Sequence, residues 1–319
     1  MTESLPAAIV AIGEPMVEFN QSDAADPTRW LQGFGGDSSN MVIAAARLGR
    51  TSGISAGYVT RIGNDGFGRM LKRLWEREGV SLAGVTTDTE APTGVYFVSH
   101  GPNGHEFSYL RSGSAASRMT PESLPLEVLR VARVLHVSGI SQAISASACD
   151  ACFAAIEAAR SAGARISYDP NFRPKLWPLA RARDVVRATI ALADWVLPSY
   201  DDARLMFQLE SPDAIADALH AMGASLVVLK LGADGCLVSE GARRERIEGH
   251  RVVSIDATGA GDCFDGAFAV RMLCGDDPIQ AARYANAAAA LATTGFGAVA
   301  PLPVDAAVRA FASREGVLA

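Results

Sequence analysis

A carboxylate in a glycine-rich turn at the head of a helix is where chemistry is most legible in this chain. The stretch Asp256-Ala-Thr-Gly-Ala-Gly-Asp-Cys-Phe-Asp-Gly-Ala-Phe268 opens with residues too small to make a strand. From Gly261 the pattern turns helical, with Phe264, Ala267, Phe268 and Met272 at helical spacing. Just before it, Arg251-Val-Val-Ser-Ile255 alternates apolar and polar residues, which predicts a half-buried strand. A helix that begins at such a turn carries unpaired N–H groups and partial positive charge. That combination suits a phosphate. Asp262 stands in the first turn of the same helix and would repel a bound phosphate unless it has other work. General base is that work: it would take a proton from a hydroxyl attacking a phosphoryl group held by the turn amides. The alternative is a solvated loop whose aspartate only caps a helix. No Gly-Lys-Ser/Thr follows the turn, and it comes too late, with the wrong glycine spacing, for a dinucleotide fingerprint.

Other segments must position that turn. Ala7-Ala-Ile-Val-Ala-Ile12 is a short apolar run ending in Gly13, as in a buried parallel strand. Glu14 follows at its carboxyl end, where open α/β sheets bind ligands. It either binds substrate hydroxyls or is a solvated charge. Gln32-Gly-Phe-Gly-Gly-Asp-Ser-Ser-Asn40 precedes a helix expected over Met41 to Leu48, closed by Gly49. Gly35 and Gly36 let backbone approach a ligand, and Asp37 or Ser38 can cap the helix. Asn40 offers a donor and an acceptor to a hydroxyl. Thr60 to Gly68 is a loop before a helix at Arg69 to Glu78, with Asp65 serving turn and cap. Thr93 to His100 and His105 to Arg111 flank Gly101-Pro-Asn-Gly104, a β-hairpin. With a further strand from 17–34 it reads as a lid that excludes water. Strands follow at Val134 to Gly139, Ala164 to Asp169, Asp194 to Ser199 and Leu226 to Leu231, the last turning through Gly232 to Gly235 into Cys236-Leu-Val-Ser239. Helices close the chain at about Pro278 to Thr294 and Pro303 to Ala312. Alternating strands and helices indicate a mostly parallel sheet covered on both faces.

The chain has 319 residues, 49% hydrophobic and 20% charged, as in an ordinary globular protein. A net charge of −6 speaks against a nucleic-acid surface. No apolar run is long enough to span a bilayer, and Met-Thr-Glu-Ser-Leu-Pro is not a signal peptide. Cys149 and Cys152 have redox spacing without a second pair, so they read as helix cysteines of a reduced, cytoplasmic protein.

Gly35-Gly36 with Asn40, and Asp256-Ala-Thr-Gly-Ala-Gly-Asp262, resemble the two signatures of the ribokinase-like (PfkB) sugar kinases, in family order and across nearly the whole chain. The resemblance implies a single ribokinase-like domain over 1–319: a three-layer α/β sandwich with a β-sheet lid at about 14–34 and 92–112. It also implies ATP-dependent phosphorylation of a sugar. Asp262 then matches the catalytic base, and the amides of Gly259, Ala260 and Gly261 match the anion hole. Lys230, Gly232 and Gly235 match the nucleotide-side turn, with Ser199 beside it, and Asn286 lies in the helix lining the adenine pocket. The backbone near Asp256, Ala257, Thr293 and Ala298 resembles a monovalent-cation loop pair, for K⁺. The family's Asn-x-x-Glu, which organises Mg²⁺, is replaced by Ser199-Tyr-Asp-Asp202, leaving Asp202 for an indirect Mg²⁺ role.

Among these kinases the chain is most similar to 2-keto-3-deoxygluconate kinases. Gly13-Glu14, Gly35-Gly-Asp-Ser-Ser-Asn40, Pro92-Thr-Gly-Val-Tyr-Phe97, Tyr109-Leu-Arg-Ser-Gly-Ser-Ala-Ala-Ser117, Ser138-Gly-Ile-Ser141 and Asp169-Pro-Asn-Phe-Arg173 carry that likeness. A keto acid needs a cation for its carboxylate, and Arg111 and Arg173 are expected to converge on it. Tyr96 and Tyr109 either contact the substrate or pack the hairpin. Fructokinase, ribokinase and a non-catalytic sugar- or nucleotide-binding regulator are the alternatives. An exposed lid sheet predicts a homo-oligomer formed through it.

Overall fold

Buried apolar strands, most of them followed by a helix, lead to a parallel sheet with helices on both faces. The computed structural model describes residues 6–22, 26, 28–101 and 104–314. Strand β1 (Ile9–Ile12) leads into β2 (Met16–Gln21) and β3 (Trp30–Gly35), then α1 (Asp37–Gly49), β4 (Ala56–Gly63), α2 (Gly66–Glu78) and β5 (Ser81–Asp88). A hairpin of β6 (Gly94–Gly101) and β7 (Gly104–Leu110) follows. Next come α3 (Leu126–Val131), β8 (Val134–Ser138), α4 (Gly139–Ala143), α5 (Ala146–Ser161), β9 (Arg165–Asp169), α6 (Leu179–Ile190) and β10 (Trp195–Val196). The chain ends with α7 (Tyr200–Phe207), α8 (Pro212–Ala221), β11 (Leu226–Lys230), β12 (Cys236–Glu240), β13 (Arg243–Ile247), α9 (Ala260–Cys274), α10 (Pro278–Ala292) and α11 (Asp305–Arg314).

The large sheet runs β13-β12-β11-β10-β9-β8-β1-β4-β5, all parallel except β12, which pairs antiparallel with both β11 and β13 at one edge. Period-two alternation divides its side chains between two cores. Ile9 and Ala11 of β1 pack with α1, α9 and α10, and Val10 and Ile12 pack with α5, α6 and α8. Strand β11 splits likewise, Leu226 and Val228 to one face, Val227 and Leu229 to the other. The expected three-layer sandwich is therefore present. After β1 the chain crosses to β4 on one side and later returns to β8 on the other. That reversal opens a crevice at the carboxyl ends of the strands. Glu14, Ser138, Asp169 and Lys230 all stand on that edge.

A small sheet, β3-β2-β6-β7, projects from the large one. It is mixed: β2 pairs with β6 in parallel, and the other pairs are antiparallel. Residues 17–34 supply two of its strands rather than the one expected. The hairpin turn at 102–103 lies outside the described residues.

Several local expectations are corrected. Residues 251–255 form no strand; Val253 is exposed, and the backbone N–H groups of Ile255 and Asp256 donate to the Thr293 carbonyl at 2.7 and 3.1 Å. Alternation alone cannot supply a neighbouring strand. Strand β13 was not foreseen because Arg-Arg-Glu-Arg-Ile has no apolar pattern; it is an edge strand. Gly49 does not close α1. The chain runs on through one 3₁₀ turn to Gly53 at φ 68°, and Gly49 is pressed instead by the Ile54 carbonyl, 2.6 Å from where a Cβ would stand. Asp65 caps α2 as expected, accepting from the Gly68 N–H at 2.7 Å. Cys149 and Cys152 are buried, unpaired residues of α5. Among the described residues no helix is long and apolar enough to cross a membrane.

Candidate active site

Helix α9 is preceded by its N-cap, Gly259, whose φ of 77° is left-handed. A Cβ there would lie 3.0 Å from the Ala298 carbonyl, so glycine permits both the turn and the close passage of the 295–299 loop. The Ala260 N–H turns back to the Ala257 carbonyl at 3.2 Å. That removes one of the three amides expected to face an anion. The later first-turn N–H groups have no intrahelical acceptor and carry the positive end of the helix dipole.

Asp262 projects from this turn, and its Oδ2 accepts from Asn40 Nδ2 at 2.8 Å. Helix packing makes the contact. A Cβ on Gly266 would meet the Met41 carbonyl at 2.6 Å, so its absence lets α1 and α9 cross closely enough to bring Asn40 over Asp262. Burial, reinforced by the nearby Asp37 carboxylate, pushes the Asp262 carboxyl up to about 7, against the pull of Asn40 and Lys230. A carboxylate near neutrality can accept a proton at physiological pH.

Acids and donors cluster between β1, α1 and the small sheet. Arg111 Nη2 lies 2.5 Å from Glu14 Oε2, both side chains being largely buried. Ser114 donates its hydroxyl to the other Glu14 oxygen. Burial still raises the Glu14 carboxyl, against the Arg111 charge. Asp37 does not cap α1, whose N-cap is Gly36. Its carboxylate accepts instead from the Ser138 hydroxyl and from Asn171 Nδ2, at 3.1 Å in the latter case. Gly36 takes φ 102°, and a Cβ there would collide with the Glu14 carbonyl. A Cβ on Gly35 would strike the Tyr96 hydroxyl. Across the small sheet Gly33, Glu18, Tyr96 and Tyr109 lie in register. Tyr96 is buried, donates to Glu18 and stacks on Tyr109 at 5.8 Å, so it packs the sheet. Tyr109 is 43% exposed, with the Arg111 guanidinium over its ring.

The arginines do not converge on one position. Arg111 is committed to Glu14, because a buried guanidinium needs a counter-charge. Arg173, half exposed, is drawn to Asp202 at 3.5 Å. Both nevertheless act on Asp37, so both border the same crevice.

On the other side Ser199 caps α7 by accepting from the Asp202 N–H at 3.2 Å. Burial pushes the Asp202 carboxyl up, opposed by Arg173. Gly232 and Gly235 both have positive φ and bound the turn between β11 and β12. Lys230 does not reach outward with them; its ammonium is buried between Asp169 and Asp265, at 2.8 and 2.9 Å. The Asn286 amide on α10 is buried and donates to the Glu248 carbonyl at 2.8 Å. The Asp256 carboxylate accepts from the Thr258 N–H and hydroxyl and from the Gly297 N–H, clipping the two loops together.

The pfkB family carbohydrate kinase profile matches residues 7–305. This chain belongs to that family. Fructokinase-1 of Zea mays is 33% identical over 316 residues, covering 94% of this chain and 96% of the relative. The 2-dehydro-3-deoxygluconokinase of Bacillus subtilis (strain 168) is 32% identical over 313 residues, covering 96% and 95%. Among solved structures, an Escherichia coli protein in complex with ATP and Mg²⁺ superposes with a TM-score of 0.88 at 26% identity, covering 97% of this chain and 99% of that one. The fold is thus the ribokinase-like fold of pfkB kinases.

Within this pfkB chain, the sequence patterns give Asp37 only a capping role and assign no individual role to Asp169, Ser114, Ser138 or Asp265, although each lies in a quoted motif. Asp265 had a readable signal, standing three residues beyond Asp262 on the same helix face. The others meet only through the sheet. Among the described residues no three His, Cys, Asp or Glu side chains converge as a metal cage. Mg²⁺ is commonly held by one or two carboxylates together with phosphate oxygens, and the half-buried Asp202 fits that chemistry.

Proposed function

We propose that this chain is an ATP-dependent kinase of 2-keto-3-deoxygluconate, forming 2-keto-3-deoxy-6-phosphogluconate. The observation that carries the reaction type is Asp262, poised near neutrality in the first turn of α9 beside Asn40. Asp262 accepts the proton of the sugar 6-hydroxyl as its oxygen bonds the γ-phosphorus and the bridging P–O bond to ADP breaks. The free first-turn amides around Gly259 and Gly261, at the positive end of α9, hold the moving phosphoryl group, and charge stabilisation of this kind is most of what phosphoryl transfer asks of a protein. Mg²⁺ near Asp202 would neutralise phosphate charge. K⁺ would sit among backbone carbonyls near Asp256, Ala257, Thr293 and Ala298, loops held together by the Asp256 clip. ATP would lie along Gly232, Gly235 and the Asn286 helix.

Glu14, Asp37, Asn40 and Asn171 supply acceptors and donors for sugar hydroxyls. Arg173, half exposed and loosely paired, is the cation free to take the substrate carboxylate, with Arg111 behind it. Fructose is a second reading, favoured because Arg111 is already neutralised by Glu14 and because the Asp37 carboxyl already engages the charges of both arginines. The exposed Leu31, Phe107 and Tyr109, which share one side of the small sheet, form the face through which two copies would pair. Five unpaired cysteines suit the reducing cytoplasm.

Coupled ADP release with Mg²⁺ and K⁺ tests the substrate, comparing 2-keto-3-deoxygluconate, fructose, ribose and gluconate. The keto acid should win in kcat/KM, and Arg173→Ala should raise its KM about tenfold or more while sparing fructose. A fructose preference, or equal KM effects on both sugars, removes the carboxylate pocket. No turnover with any of the four supports a binding protein instead.

A further inference from the structure

We propose that Lys230 is a positioning residue: its buried ammonium, clamped by Asp169 and Asp265 beneath the first turn of α9, fixes the Asp262 carboxylate and keeps it ionised for proton transfer. The proposal rests on the reading of Asp262 as general base.

The geometry is a three-way tie. Lys230 ends β11, Asp169 ends β9, and Asp265 lies on α9 one turn beyond Asp262. The ammonium stands 3.5 Å from where a Cβ on Gly261 would be, ordinary contact distance, so it lies directly beside the turn. Only 8% of the residue is exposed, and both carboxylates are within hydrogen-bond distance, which leaves it no reach toward a nucleotide. Stability alone gives no reason for such a cluster, since apolar side chains of similar volume hold elements together equally well without desolvating charges.

The charges around Asp262 give the reason. Asp37 faces it from α1, Asp169 from β9, and Cys263 and Asp265 flank it on α9. Burial, Asp37 and Asp169 favour its protonated form. The Lys230 ammonium from β11 opposes them, together with the Asn40 amide. The same charge holds Asp169 low while burial lifts Asp265. Without the cation, Asp262 would hold its proton through neutral pH and could not accept another.

The test is the pH profile of kcat/KM for the wild type, Lys230→Met, Lys230→Arg and Asp169→Asn, with Asp262→Asn alongside. Lys230→Met should move the acid limb up by about one unit or more, with turnover recovering at pH ~9. Lys230→Arg, which keeps the charge, should leave the limb near that of the wild type. Asp169→Asn keeps the ammonium and removes a negative charge, so it should move the limb down; it decides the matter if Lys230→Met does not fold. A folded Lys230→Met with an unmoved limb and uniformly reduced kcat overturns the proposal, as does an unmoved limb in Asp169→Asn. If Asp262→Asn itself retains wild-type turnover, the general-base reading fails instead.

Discussion

Replacing Asp262 by asparagine should make this protein more stable and almost inactive, and the two effects should part company with pH. The carboxyl is raised from 3.8 to about 7 by burial and by Asp37. A group raised in the folded state binds more protons folded than unfolded, so ionising it costs stability. The cost is absent below about pH 4, grows as pH rises through the interval, and is complete above about pH 7. About three units at 1.36 kcal/mol each is roughly 4 kcal/mol. Asparagine has no charge to desolvate, and its carbonyl can still accept from Asn40 Nδ2. Allowing for relaxation around an ionised carboxylate, the gain above pH 7 should be about 2–4 kcal/mol, or a Tm rise of about 3–6 °C for a chain of this size. Near pH 4 the variant and the wild type should melt together. Turnover should fall about 10²- to 10⁴-fold, the usual contribution of a general base. Thermal melts of ligand-free protein at pH ~4.5 and ~8 and a coupled assay read both effects. A gain equal at both pH values, or a loss at high pH, would refute the strained-carboxylate argument; turnover within tenfold of wild type would refute the base.

Gly36→Ala should cost about 3 kcal/mol or more in chemical denaturation, since φ 102° and a collision with the Glu14 carbonyl act together. Gly53→Ala, at φ 68° with open space around it, should cost only about 1 kcal/mol; equal costs would show that the close approach is not what selects glycine at 36. Asp202→Asn should raise the Mg²⁺ concentration needed for half-maximal turnover several-fold while leaving KM for the sugar unchanged, and an unchanged Mg²⁺ requirement would remove Asp202 from the metal's surroundings.

The sequence by itself determined the alternation of buried strands and helices, because burial of a parallel sheet on both faces leaves continuous apolar runs such as Ile9–Ile12 and residues 226–229. It also determined the turn at Gly259–Asp262, because small residues before a helix have few other uses. It misjudged 251–255 and Gly49, where the decisive partner, the Thr293 carbonyl or the Ile54 carbonyl, lies elsewhere in the chain. It could not foresee that Arg111 is held by Glu14, 97 residues away by number, or that Lys230 turns inward to Asp169 and Asp265. Those pairings follow from which charges the crossovers bury side by side. A residue's type and spacing fix what chemistry it can do, but the counter-charge it must satisfy in a low-dielectric interior is chosen only when distant strand ends meet at one edge of the sheet.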